Sequence, residues 1–383
     1  MRVVIARTMA EFSMDAYANG IVEGLRAVRP DWDIVDLKPH SVDRRSSSVR
    51  VRAHKAYERF WNFPKTIQRQ QADIYHIIDP AEAHAVYRLR RRPGKKVVVT
   101  CHDLINFHNQ YNLQGSVQLP LVSRRLWLWA VHGMGQADHV VSVSAATAQE
   151  TTRLLDIPAH KITVTPNGVD PAFQPTSPEV AAAIRQRHGI AADTLCLLNV
   201  GSNHPRKNIL IILKALRKLK QQGLPVCFWK VSADFTDEQK AYIQEHNLAS
   251  SVVYLGKPDP EELVQFYGAA DILIAPSLQE GFGLTILEAM ATGTPVITSN
   301  VSAMPEVAGD AAILVNPHQE DAIASAVHTL HQDPAYRHKL IEKGLTRAQQ
   351  FTWKATAEQV AQVYESLFTQ NQKPPYRSAP VNL

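Results

Sequence analysis

Residues 271–309 read DILIAPSLQEGFGLTILEAMATGTPVITSNVSAMPEVAG, and this stretch decides the fold. DILIAP (271–276) is a short apolar run without alternation, the pattern of a strand covered on both faces in a parallel sheet. It ends at Pro276. A glycine-bearing loop holding Glu280 follows, a helix begins near Leu284, and TPVITSN (294–300) supplies the next strand. This is one turn of a doubly wound α/β unit.

The same period extends in both directions. VVIA (3–6), DIYHII (73–78), KVVVTCHD (96–103), HVVSVSA (139–145) and KITVTPNG (161–168) read as strands, with a helical pattern from about Met14 to Val28 and another through Arg153. Residues 1–170 therefore read as one open α/β sheet. VDPAFQPTSPEV then places three prolines in eight residues, a connector between domains. LCLLNVG (195–201), VCFWKVS (226–232), SVVYLG (251–256) and AAILVNP (311–317) restart the strand pattern. Helices are expected from about Asn208 to Gln222 and over 237–246, 260–269, 284–291 and 319–331. A long helical stretch over about 336–368 closes the fold. Two doubly wound units joined by a linker bind ligands in the cleft beyond the carboxyl ends of their strands.

Length and composition agree. A chain of 383 residues is long for one domain and fits two. Hydrophobic residues at 45% and charged residues at 20% exclude a disordered chain or a fibre. Cys101, Cys196 and Cys227 are too few and too far apart for a disulfide framework or a zinc site, so a reducing cytoplasm is expected. MRVVIARTMAEF enters a strand with no signal-like apolar core, and no uncharged apolar run reaches the length of a membrane span.

Three constellations carry candidate chemistry. The backbone amides of Gly281, Phe282, Gly283 and Leu284 lie at the start of a helix, where free donors and the helix dipole stabilise an anion. Glu280 and Glu288 flank that site, and carboxylates accept well from sugar hydroxyls. Each glutamate alone has an equally plain reading, as a first-turn acid or part of a solvated face. In NVGSNHPRKN (199–208), Arg206 and Lys207 stand at a strand end just before a helix, suited to a diphosphate. Alone they would be an exposed basic loop. In VVVTCHDL (97–104), His102 and Asp103 follow a buried strand and point toward the cleft. A histidine there can meet a sugar hydroxyl or assist proton transfer, or be structural.

The string EGFGLTILEAMATGTPVITSNVSAMPEVAGDAAILVNP (280–317) resembles the donor-binding signature of retaining glycosyltransferases of family 4, the glycosyl group 1 family. GSNHPRKN (201–208) resembles their phosphate loop, VTPNGVD (164–170) the turn that closes their N-terminal domain, and FTWKATAEQVAQVYESL (351–367) their closing helix. The resemblance implies a GT-B fold, two Rossmann-like doubly wound domains facing a central cleft. Residues 1–170 would form the acceptor-side domain, rejoined by the C-terminal helix at about 355–383, and 171–354 the donor domain. It implies a nucleotide-diphosphate hexose as donor (a UDP-sugar, with a GDP-sugar as the alternative), no cofactor and no metal. Glu280 would contact the transferred sugar and stabilise the transition state, and His102 would reach that sugar from the opposite domain. Arg206 and Lys207 would hold the diphosphate, the amides from Gly281 to Leu284 would support sugar and phosphate, and Glu288 would bind the ribose. Retention without a protein nucleophile implies front-face displacement. Two stretches depart from the pattern. In AEFSMDAYANG (10–20), Ser13 and Met14 replace a glycine pair, and KVSADFTDE (230–238) replaces a glycine-rich turn near the base. A non-catalytic sugar-nucleotide or glycan-binding module on the same fold is the competing reading.

The net charge of +5 is uneven. Residues 1–170 hold 23 basic and 16 acidic side chains (+7), and the remainder 18 and 20 (−2). RRSSSVRVRAHKAYERFWNFPKTIQR (44–69) mixes eight basic residues with Tyr57, Phe60, Trp61 and Phe63, and RLRRRPGKK (88–96) adds six more. Basic side chains beside aromatics suit an anionic bilayer, so peripheral contact with the inner face of a membrane is one expectation. A solvated basic face over buried aromatics is the other. RRLWLWAVHG (124–133) reads as a buried helix. A nucleic-acid partner is not expected, because no recognition motif accompanies the charge. The acceptor is not legible.

Overall fold

The structure is a computed structural model, and it describes residues 1–9, 13–40, 48–91, 94–107 and 120–372. The first sheet is built from β1 (Arg2–Ala6), α1 (Ser13–Val28), β2 (Asp33–Leu37), α2 (Val49–Tyr57), α3 (Phe63–Arg69), β3 (Ile74–Ile77), α4 (Ala85–Leu89), β4 (Lys96–Cys101), α5 (Leu121–His132), β5 (His139–Ser142), α6 (Ala145–Leu155) and β6 (Ile162–Val164). Its strands run parallel in the order β2-β1-β3-β4-β5-β6.

The second sheet follows α7 (Pro178–Arg187). It comprises β7 (Leu195–Gly201), α8 (Ile209–Gln221), β8 (Val226–Ser232), α9 (Asp237–Glu245), β9 (Val252–Tyr254), α10 (Pro260–Ala269), β10 (Ile272–Ala275), α11 (Leu284–Ala291), β11 (Val296–Ser299), α12 (Met304–Ala308) and β12 (Ile313–Val315). Helices α13 (Glu320–Gln332), α14 (Pro334–Ala348) and α15 (Trp353–Gln372) follow. The parallel order is β12-β11-β10-β7-β8-β9, so the winding reverses between β7 and β10. Loops after those two strands open onto the crevice where doubly wound sheets bind ligands.

Both faces of this sheet are covered, as the apolar runs require. Leu197, Phe228, Ile272 and Ile274 pack with Ile212, Leu216 and Val327 on one side. Cys196, Leu198 and Leu273 pack with Tyr267, Leu287 and Met290 on the other. The chain returns to the first sheet at Phe351–Trp353, where Val169 N donates to Phe351 O at 2.9 Å. Gly20 on α1 makes room for this crossing, since a Cβ there would lie 2.1 Å from the Trp353 ring. α15 then packs on α1, and Arg29 Nε donates to Glu365 Oε1 at 2.7 Å.

Several expectations need correction. The stretch 336–368 is two helices, α14 and α15, because the chain must turn at Phe351–Thr352 to cross between sheets. α5 is not buried. Ala130 and Val131 are inside, while Leu121, Val122, Leu126 and Trp129 are exposed, because the helix packs through its C-terminal end alone. β2 was not anticipated, being a short edge strand with two aspartates (DIVDL), nor were α2, α3, α4, α7 and α12. Tyr57 and Trp61 are exposed and Phe63 is buried, so the aromatics of 44–69 divide between surface and core. Residues 10–12 of the departure at 10–20, residues 44–47 and 92–93 of the basic runs, and residues 373–383 lie outside the described residues.

Candidate active site

The loops that leave β7 and β10 are stitched together. Leu278 N donates to Arg206 O at 2.7 Å. Asn208 caps α8 in a left-handed conformation (φ 59°) and donates through Nδ2 to Pro276 O at 3.2 Å and Pro317 O at 2.7 Å. These bonds bring Arg206, Lys207 and Glu280 to one point.

Glu280 is largely buried, and both its carboxylate oxygens have partners. Arg206 Nη1 donates to Oε2 at 2.5 Å, Lys207 Nζ approaches Oε1 at 2.6 Å, and Ser277 Oγ donates to Oε1 at 2.7 Å. Burial opposes ionisation of Glu280, but Lys207 and Arg206 overcome it and hold the carboxyl at about 2. Its backbone is clamped as well: Ser302 Oγ donates to Glu280 O at 2.7 Å and accepts from Glu280 N at 3.2 Å. Two cations meet one carboxylate here, and the excess is positive.

Gly283 starts α11 with φ 108°, a conformation that favours glycine. Phe282 is buried against Phe351, which leaves the backbone of 281–284 as the part of this loop able to serve a ligand. Glu288, one turn into α11, accepts from Tyr267 Oη at 2.5 Å. Burial raises its carboxyl above the ordinary range, with the Tyr267 bond and Lys207 opposing.

The opposite wall comes from the first sheet. His102 follows β4, is buried, and lies edge-on to Tyr17 with ring centroids 4.5 Å apart. Its Nε2 lies 2.8 Å from Ile78 O. A carbonyl only accepts, so Nε2 carries the hydrogen and Nδ1 is left as an acceptor. Burial holds the imidazole below its usual range, with Asp79 opposing, so His102 is neutral at pH 7. Burial likewise raises the neighbouring Asp103, and Arg206 across the cleft opposes it.

The two walls touch. A Cβ on Gly281 would lie 1.9 Å from His102 O, so a larger residue there would force the walls apart. Gly281 O accepts from Ser144 Oγ at 2.7 Å and Thr147 Oγ1 at 3.0 Å. The Glu306 carboxylate sits at the N-terminus of α6, accepting from Ala145 N at 2.8 and 2.9 Å. Gln279 Nε2 donates to Glu150 Oε1 at 2.8 Å.

The structure thus brings Arg206, Lys207 and Glu280 together, sets the His102 backbone against Gly281, and places Glu288 one turn along α11 beside Tyr267. Sequence reading did not pick out Ser277, Tyr267, Ser144 and Glu306. Ser277 and Glu306 lie inside the quoted 271–309 stretch, whereas Ser144 and Tyr267 come from distant elements with no motif to mark them. Among the described residues, no cluster of three metal-ligating side chains occurs, and no helix is long and apolar enough to cross a membrane.

Comparison with known proteins adds two family matches. Residues 180–347 match the family described as glycosyl transferases group 1, and residues 25–173 match glycosyltransferase family 4. O-antigen chain mannosyltransferase B of Escherichia coli is 32% identical over 237 residues, 61% of this chain and 62% of that protein, so the match spans less than two thirds of that relative's length. Among solved structures, sucrose-phosphate synthase of Thermosynechococcus elongatus superimposes with a TM-score of 0.78 at 23% identity, covering 96% of this chain and 99% of the other. HepE of Anabaena, solved with UDP and glucose, gives 0.73 at 17% identity, with 96% and 100% covered. At these identities the solved structures speak to the fold.

Proposed function

Because this chain belongs to the group 1, family 4 glycosyltransferases and has the GT-B fold, we propose that it transfers a hexosyl group from a nucleotide-diphosphate sugar to an acceptor hydroxyl with retention of configuration. The observation that carries this reading is the convergence of Arg206, Lys207 and Glu280 at the β7/β10 switch point. Arg206 and Lys207 neutralise the diphosphate and stabilise it as it leaves, so the site itself supplies the cationic charge. Amides from Gly281 to Leu284 support sugar and phosphate, and Glu288 receives the ribose hydroxyls in place of, or beside, Tyr267. Glu280, ionised at any physiological pH, accepts from hydroxyls of the transferred sugar and stabilises positive charge developing at its anomeric carbon. His102 accepts a sugar hydroxyl at Nδ1 from the other wall. In a front-face displacement the bond from the anomeric carbon to the diphosphate breaks. The acceptor oxygen bonds that carbon on the same face, and its proton passes to the departing phosphate.

The donor is a UDP-sugar, supported by the UDP and glucose bound to the similarly folded HepE, with GDP-sugars the class to test beside it. Similarity to a mannosyltransferase makes mannose a hexose to test beside glucose. Incubating the purified chain with each sugar nucleotide and following nucleotide release tests the reading. Release that is abolished in Glu280→Gln supports it. Nucleotide binding without release in the intact chain, with or without candidate acceptors, would instead make it a binding module.

The acceptor side supports a membrane-borne partner. α2 carries Val49 and Tyr57 exposed beside Arg50, Arg52 and Lys55, and Trp61 follows beneath the Arg88 guanidinium. α5 exposes Leu121, Val122, Leu126 and Trp129 beside Arg124 and Arg125. Phe60 and Trp129 connect the two, with centroids 6.3 Å apart. Such a surface suits the interface of an anionic bilayer. Co-sedimentation with phosphatidylglycerol vesicles but not phosphatidylcholine vesicles is the expected result, and equal behaviour with both would remove this part.

A further inference from the structure

Lys230 lies on β8 near its carboxyl end, and its side chain is fully buried. Other buried charges have partners: Arg7 has Asp36, Glu58 has His40 and Asn62, and Glu82 has Arg59. Lys230 has no carboxylate within ion-pair distance among the described residues. Its Nζ donates to Gly201 O at 2.7 Å and to Val231 O at 2.9 Å. An ammonium has three donors, so one remains without an acceptor among the described residues.

Gly201 is the last residue of β7 and has φ 136°. A Cβ on it would lie 3.6 Å from Lys207 Cε and 3.7 Å from Lys207 Nζ. The two lysines therefore flank one glycine, and only Lys207 reaches Glu280. Burying an ammonium without a counter-ion is costly, so such a group persists where something else supplies the negative charge. We infer that Lys230 is a positioning residue of the nucleotide-diphosphate site, fixing the Gly201 carbonyl beneath the phosphate loop and taking its counter-charge from the bound diphosphate. The inference rests on the donor reading above.

Burial and then Lys207 hold the Lys230 ammonium down at about 8, with Asp234 opposing. The groups around it are accounted for. Asp234 pairs with Lys240 at 2.6 Å and is held below its ordinary range. Arg206 and Lys207 pair with Glu280. His204, lowered by burial and by Arg206 and Lys207, is neutral above pH 7. Tyr254, opposite Lys230 on β9, donates to Ser232 O at 3.0 Å. Cys227 on β8 is pushed up to about 11. Near pH 8.5, Lys230 is the group poised to gain a proton when an anion arrives.

Calorimetry of UDP and, in parallel, GDP with the full chain tests this, using two buffers of different ionisation heat at pH 7.5, 8.5 and 9.5. The expected result is uptake of a fraction of a proton at pH 8.5 and affinity at least about threefold weaker at pH 9.5 than at 7.5. Lys230→Met should bind about tenfold more weakly at pH 7.5 and take up no proton. Binding without proton uptake in the unmodified chain, or unchanged affinity and uptake in Lys230→Met, would overturn the inference. Near-UV circular dichroism checks the variant's fold; if it is lost, uptake by the unmodified chain decides alone. Failure of the unmodified chain to bind either nucleotide would overturn the donor reading itself, and the inference with it.

Discussion

The two halves of the molecule handle charge in opposite ways at equivalent places. At the switch point of the second sheet, two cations share one carboxylate, Glu280. At the switch point of the first sheet, between β1 and β3, one cation faces two carboxylates. Arg7 donates to both oxygens of Asp36 at 2.6 and 2.9 Å and lies 3.7 Å from Asp15. The first arrangement leaves positive charge for an incoming anion and the second does not. Yet the first half has the +7 balance and the second the −2. Much of the surplus sits on α2, with Arg50, Arg52 and Lys55, and on α5, with Arg124 and Arg125. The net charge of a domain therefore says little about the charge at its switch point.

The contrast can be broken most sharply at Glu280. Glu280→Gln should lower kcat about a thousandfold while nucleotide still binds, because the proposed role of the lost group is to stabilise charge in the transition state. Lys207→Ala should lower kcat/KM for donor about a hundredfold in the same assay. Acid titration of stability gives a third check. The Glu280 carboxyl is held at about 2, against about 4.5 when unfolded, so its contribution is present above pH 4.5 and is lost as pH falls toward 2. Chemical denaturation should show the unmodified chain losing about 2 kcal/mol more than Glu280→Gln between pH 4.5 and 2.5. Gly281→Ala, which must displace the His102 carbonyl, should reduce turnover about tenfold by spreading the walls. At the small end, Asp36→Asn in the first half should change donor KM by no more than about twofold, since that charge serves the fold. A change as large as that of Lys207→Ala would erase the contrast.

How much of this was legible depended on distance along the chain. The Glu280 loop, its helix and the Arg206–Lys207 loop are local: each helix starts within ten residues of the end of the preceding strand, so spacing alone places them. Contacts such as Glu306 on the N-terminus of α6, or Gly281 against His102, join residues more than 150 positions apart and have no local signature. Orientation was lost where composition is mixed. The Arg, Leu and Trp of α5 suit a buried or an exposed helix equally, and the packing of one end decided the matter. β2 escaped because an edge strand tolerates aspartates that a central strand would not. Lys230 sat in plain view in VCFWKVS, but a lysine near a strand end ordinarily marks an exit to solvent, whereas here it is fully buried.

A crystal structure of the chain with UDP tests the central claim most directly. The diphosphate is expected against Arg206 and Lys207, with the ribose hydroxyls toward Glu288 and the phosphates at the start of α11. Nucleotide bound instead at the first sheet, near Arg7 and Asp36, would contradict it.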